Sequence, residues 1–340
     1  MSTRSFFLKH MLIFFSVSGI VSGCGKDDEK KSNDINGSWA QVSTAGLPEE
    51  RHECSFVLAG DKGYLIGGRG DHPVEELDLT TNTWKKLASP GMEINHFQAF
   101  SYNGELWLAG GFTGGFPHET PVEKIMIFSP SGNQWREGAT IPAGRRRGGA
   151  GAFTYNNKIY IVSGITDGHW TGTVGWFDEY NPATGQWTTL PDAPHPRDHF
   201  NAVLIGDKLY LAGGRRTSES TGELFDLTIP EVDVYDFKTN QWSSFSSDKN
   251  IPTQRAGCTS VNLNGQLVVI GGESGSQDQA HKNCEAFDPG TGTWKSLSPL
   301  NTGRHGTQAF VYNGGIYITA GSANRGGGPE LNTTEKFSEK

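Results

Sequence analysis

The stretch Asn264-Gly265-Gln266-Leu267-Val268-Val269-Ile270-Gly271-Gly272 decides the fold. Asn-Gly is a strong hairpin signal, because both central residues of the tight turn need positive φ. The apolar run that follows has the length of a buried strand, and the closing glycines permit a close backbone approach. The pattern recurs six times, closing at Gly67-Gly68, Gly110-Gly111, Ser163-Gly164, Gly213-Gly214, Gly271-Gly272 and Ala320-Gly321. Tryptophans stand at 39, 84, 135, 187, 242 and 294, spaced by 45, 51, 52, 55 and 52 residues. Seven residues before four of them come Phe128, Tyr180, Tyr235 and Phe287, with another turn between, such as Asn181-Pro182-Ala183-Thr184-Gly185. Each unit reads as a four-stranded meander, and repeats near this length make propeller blades.

These elements resemble the kelch repeat, with its double glycine, its aromatic and its tryptophan. The resemblance covers residues 37–340 and implies an all-β, six-bladed kelch-type β-propeller. The sixth doublet is followed by no tryptophan, and Trp39 precedes the first doublet without one of its own. The N-terminal strand around Ser38 to Val42 is therefore expected to complete the last blade, which removes exposed sheet edges. Composition agrees: 46 glycines in 340 residues is about twice the usual share, and 11% aromatic residues exclude disorder. A net charge of −8 excludes general nucleic-acid binding, which needs a basic face.

Residues 1–23 read as a signal peptide, with Arg4 and Lys9 ahead of an apolar run from Met11 to Val21. That run is short for a membrane span. Val21-Ser22-Gly23-Cys24 resembles a bacterial lipobox, which implies lipidation of Cys24. Residues 24–36 then form a charged tether, and Lys26-Asp27-Asp28 resembles the tag of surface lipoproteins. The expectation is a monomer anchored at the outer membrane of a Gram-negative bacterium, on its periplasmic or surface side. Loss of Arg4 and Lys9 leaves 27 basic and 37 acidic residues, a charge of −10.

Seventeen residues before the end of each doublet stand Arg51, Ile94, Arg147, Arg197, Arg255 and Arg304. In kelch propellers this position opens the innermost strand beside the axis, and similar arginines bind acidic peptides in some family members. The resemblance thus implies a ring of guanidinium groups that fork onto carboxylates or phosphates, or else arginines that hold adjacent loops. His52 and His305 follow the ring position directly, and His96 and His199 come one residue later. His72, His118, His169 and His281 fall in the loops after the doublets, and His195 in the loop entering blade four. All nine belong to one face or its rim. Trp170, beside His169, is a platform for a sugar or a packing residue, as is Trp176.

The expected ligand is an anion, a carbohydrate or an acidic protein segment. Arg51, Arg147, Arg197, Arg255, Arg304, His52, His96, His169, Trp170, Asp198, His199 and His305 are the binding candidates. The competing class is an acid–base enzyme on a sugar acid, with Glu53 and Asp198 beside permanent cations. A sialic-acid mutarotase is one enzyme of this architecture, but a fold alone does not transfer an activity. The chain shows no His-x-Glu-x-His or paired Cys-x-x-Cys spacing, so no metal and no cofactor is expected. It also lacks the Tyr-His pair of the galactose-oxidase-like copper enzymes. Cys54, Cys258 and Cys284 read as buried free thiols.

Overall fold

The computed structural model describes residues 35–340. The leader, Cys24 and most of the tether expected over 24–36 lie outside the described residues. Six four-stranded antiparallel sheets surround one axis. Blade five shows the plan: Thr259–Leu263 lies innermost, followed outward by Gln266–Ile270, Cys284–Asp288 and Thr293–Ser296. The Asn264-Gly265 turn has φ of 53° and 82°, as the tight hairpin requires.

Blade six closes the ring across the termini. Gly37–Gln41 pairs antiparallel with Thr334–Glu339, Trp39 standing opposite Phe337. Both rings are buried, with centroids 5.6 Å apart.

The core lies between blades rather than within them. Val57, Tyr64 and Ile66 of blade one, for example, pack with Phe97, Leu106, Met126 and Phe128 of blade two. Gly271 and Gly272 show why the doublet is small. A Cβ on Gly271 would stand 2.3 Å from the Arg304 carbonyl oxygen, to which the Gly272 N–H donates at 2.8 Å. The same bond ties Gly68 to Ile94, Gly164 to Arg197, Gly214 to Arg255 and Gly321 to Arg51. The doublet is thus a clasp between adjacent blades.

This plan brings the segments before the innermost strands and the loops after the second strands to one end of the axis. Bridges such as Asp198 with Arg215, Ala256 with Glu273 and His305 with Ser322 join the two sets. The thiols of Cys54, Cys258 and Cys284 are free and buried, and strand Gln266–Ile270 separates the last two.

A candidate site at the axial mouth

A ring of backbone hydrogen bonds encircles the axis. The N–H groups of His96, Gly149, His199, Gly257 and Gly306 donate to the carbonyls of Glu53, His96, Gly149, His199 and Gly257, at 2.7–3.1 Å. Cys54 closes the circle onto Gly306 at 3.2 Å. The six equivalent residues, Glu53, His96, Gly149, His199, Gly257 and Gly306, all have φ between 51° and 64°. Glycine takes this conformation freely, whereas other side chains are strained in it. Three of the six positions nevertheless carry Glu53, His96 and His199. Neighbouring glycine makes room: a Cβ on Gly306, next to Glu53 in the ring, would lie 2.7 Å from Glu53 Oε1.

The arginines correct the expectation of a cationic ring. Arg51, Arg147, Arg197, Arg255 and Arg304 are at most 1% exposed and turn into their own blades. Each donates to a carboxylate of the third strand: Glu75, Asp178, Asp233, Glu285 and Glu335, at 2.6–2.8 Å. Each also donates to the first carbonyl of its doublet: Gly67, Ser163, Gly213, Gly271 and Ala320. In blade two the ring position is Ile94, and the position equivalent to the carboxylate is Met126. Both are buried in one apolar cluster. Where the cation is missing its anion is missing too, which marks the pair as a strut of the blade. The signal was in the sequence: an acid two residues before the blade aromatic in three of the tryptophan-bearing repeats, and methionine in blade two.

The histidines divide. His96, His169 and His199 meet at the mouth as a near-equilateral triangle, with ring centroids 4.8, 4.8 and 4.9 Å apart. All three are buried. The Nδ1 of His199 lies 2.6 Å from Asp198 Oδ1, and that of His169 lies 2.8 Å from Glu119 Oε1. The Nδ1 of His96 lies 2.5 Å from Asn95 Oδ1, and the Asn95 amide donates to Glu93. An ionised carboxylate or an amide oxygen only accepts, so each Nδ1 carries the proton. In a neutral ring Nε2 is then the acceptor, and all three Nε2 atoms converge on one point. Asp198 is held by Thr173 Oγ1 at 2.7 Å, Thr217 N at 3.0 Å and Thr217 Oγ1 at 2.5 Å. Arg69 donates to Glu119 at 2.6 Å.

Burial pushes the imidazoles of His96 and His169 below the usual histidine value. Burial opposes the charge on Glu119, but the hydrogen bonds from His169 and Arg69 outweigh it and hold the carboxyl at about 2. The same contest lowers Asp198, where His199 and Arg215 prevail over desolvation.

A second group faces the triangle. Glu53 Oε2 lies 3.2 Å from His96 Nε2, and Glu53 Oε1 lies 3.7 Å from His305 Nδ1. His305 Nε2 donates to the Asn324 carbonyl at 2.8 Å and lies 3.6 Å from Glu273, which pairs with Arg215 at 2.6 Å. His52 stands 2.5 Å from Glu330. The axial cavity is lined by Glu53, His96, His199, Asn201, Thr307 and Gln308 among others, and holds about 40 Å³. That admits a few waters or an ion but no sugar.

The remaining candidates sit apart. His72 and His195 contact Glu49 and Asp233, and His281 contacts Ser274. Trp170 is half-buried and packs against His118, with centroids 4.8 Å apart and the rings tilted by 41°. Trp176 lies under the Arg145 guanidinium, 4.6 Å from its ring centroid, and serves packing. Sequence reasoning did not single out Glu119, Arg215 or Glu273, because nothing in the repeat marks these loop positions.

The KLHDC2/KLHL20/DRC7 Kelch-repeats domain matches residues 16–214 and 138–321. Kelch-like protein terF of Aspergillus terreus is 26% identical over 306 residues, which are 84% of this chain and 65% of that protein. Kelch-like protein 23 of Homo sapiens is 26% identical over 281 residues, 81% of this chain and 46% of that protein. The chain thus spans less than two thirds of the length of these relatives. A solved structure described as "Structure of YjhT" aligns with a TM-score of 0.73 at 17% identity, covering 86% of this chain and 96% of that one. At that identity the likeness concerns the fold alone. Six blades, their repeated doublets and these matches lead to one conclusion: the chain belongs to the kelch-repeat family.

Proposed function

We propose that this propeller is a monomeric envelope lipoprotein, anchored through Cys24, that captures a carbohydrate-bearing ligand on the loop face around its axial mouth. The observation that carries the reading is the placement of Glu53, His96 and His199 at strained positions where glycine fits. Strain retained at a mouth favours a site over a scaffold role. The narrow cavity directs a sugar to the rim, where Phe116 is 53% exposed and Trp170 packs against His118. Aromatic faces of this kind suit the apolar face of a sugar ring. A thermal-shift screen of sugars, sugar acids and acidic peptides against the chain from residue 33 tests the reading. A carbohydrate should raise the melting temperature of the parent, and the gain should vanish in Trp170→Ala and Phe116→Ala. If only acidic peptides stabilise, the partner is a protein segment. Retention of a Cys24→Ser variant in the membrane fraction would refute the anchor.

The Glu53, His305 and Glu273 group favours a second reading, an acid–base enzyme on a sugar acid. Anomer exchange followed by NMR decides it. Glu53→Gln should abolish turnover while binding persists.

A further inference from the structure

We propose that His96, His169 and His199 form a binding site for one divalent first-row transition-metal ion, of which Zn²⁺ is the reference case. This goes beyond ligand capture at the rim, which needs no metal. The Nε2 atoms of His169 and His199 face each other at 3.1 Å. With both Nδ1 protons committed to carboxylates, two neutral rings would face each other lone pair to lone pair, so a shared proton or a cation must lie between them. His96 Nε2 is buried and makes no hydrogen bond among the described residues. A buried acceptor without a donor is costly. A cation at the centre satisfies all three atoms at once.

The dimensions fit. The three ligand atoms lie within 4.8 Å of one another. Bonds of about 2.0–2.1 Å in a tetrahedron put ligand nitrogens about 3.3 Å apart. The 3.1 Å pair is already at that spacing, and only His96 must close in. The outer contacts fit as well. Metal-bound imidazoles hand their other N–H to a carboxylate or carbonyl, which fixes the ring and raises its basicity. Asp198, Glu119 and Asn95 do this for the three rings. Three imidazoles suit zinc, copper, iron or nickel rather than magnesium or calcium.

Three histidines leave a fourth position open, the arrangement of zinc sites that keep a water. Glu53, 3.2 Å from His96 Nε2 on the cavity side, is placed to accept a hydrogen bond from that water. The motif escaped sequence spacing rules because its members come from blade two, the loop of blade three and blade four. His96 and His199 sit at equivalent repeat positions two blades apart, and His169 reaches in between them.

The test uses the chain from residue 33, dialysed against chelator, with Zn²⁺ and Co²⁺ as probes. Calorimetry should give one equivalent, and Zn²⁺ should raise the melting temperature. Bound Co²⁺ should show the intense visible bands of four- or five-coordination. His96→Asn and His199→Asn keep a residue tolerant of positive φ, and with His169→Gln each should weaken binding about 100-fold or more. His72→Asn, at the outlying pair with Glu49, should leave metal binding unchanged. The proposal falls if the parent binds no metal, if Co²⁺ stays weakly coloured and octahedral, or if the histidine variants bind as the parent does. It also falls if a shared proton fills the gap, seen as pH-dependent but metal-independent stability. The Co²⁺ spectrum is read on the parent, so a variant that fails to fold leaves the test intact. The sugar screen runs in chelator, so either proposal can fail without the other.

Discussion

The arginine struts make a quantitative prediction. Arg255 is fully buried and donates to Glu285 Oε2 at 2.6 Å, Gly271 O at 2.6 Å, Thr253 O at 2.5 Å and Val269 O at 3.1 Å. Arg255→Ile removes the cation and leaves Glu285, 3% exposed, without its counter-charge. Breaking one side of a buried ion pair costs about 3–5 kcal/mol. At about 2 °C per kcal/mol for a domain of this size, melting should fall by about 6–10 °C. The double variant Arg255→Ile with Glu285→Met reproduces the Ile94 and Met126 arrangement of blade two. No orphan charge remains, and replacing a whole buried pair by apolar groups is often nearly neutral. The double variant should therefore recover most of the loss, with a coupling of about 2 kcal/mol or more in the cycle. Thermal melting of the four proteins measures this. An unchanged single variant would show that the arginine is no strut. A double variant as unstable as the single would show that the carbonyl contacts, not the charge pairing, dominate.

Three further outcomes are expected. Burial opposes the charge on Glu273, but His305 and Arg215 hold its carboxyl at about 2, below its ordinary 4.5. A depressed carboxyl stabilises the fold above its unfolded value, so that contribution is present above pH 4.5 and drains away toward pH 2; acid melts of Glu273→Gln should show a shallower fall across this window. Removing residues 25–34 should leave melting unchanged, whereas a chain starting at residue 46 loses the strand Gly37–Gln41 and the buried Trp39, and should lose about 3–5 kcal/mol. Burial pushes the thiols of Cys54 and Cys284 up to about 12 and raises that of Cys258, so a thiol reagent should find none reactive in the folded chain from residue 33 and three after unfolding.

Local chemistry wrote the propeller into the chain. Asn-Gly turns, short apolar runs and doublets that admit a neighbouring backbone all act within a few residues, so their period is readable. The count of doublets against tryptophans likewise implied that a strand around Ser38 to Val42 closes blade six, since an unfinished meander leaves an open edge, and the structure sets that strand at Gly37–Gln41. Side-chain direction was a different matter. Whether Arg197 faces the opening or its own blade depends on Asp233, 36 residues later in the chain and 2.6 Å away in space. An unpaired buried carboxylate would be costly, so the partner dictates the direction. Nine histidines were legible as one face, but three of them converge because two left-handed ring positions and one loop share the axial mouth. Only closure of the ring brings blades two, three and four to that point, and the carboxylates that set each imidazole proton arrive with it.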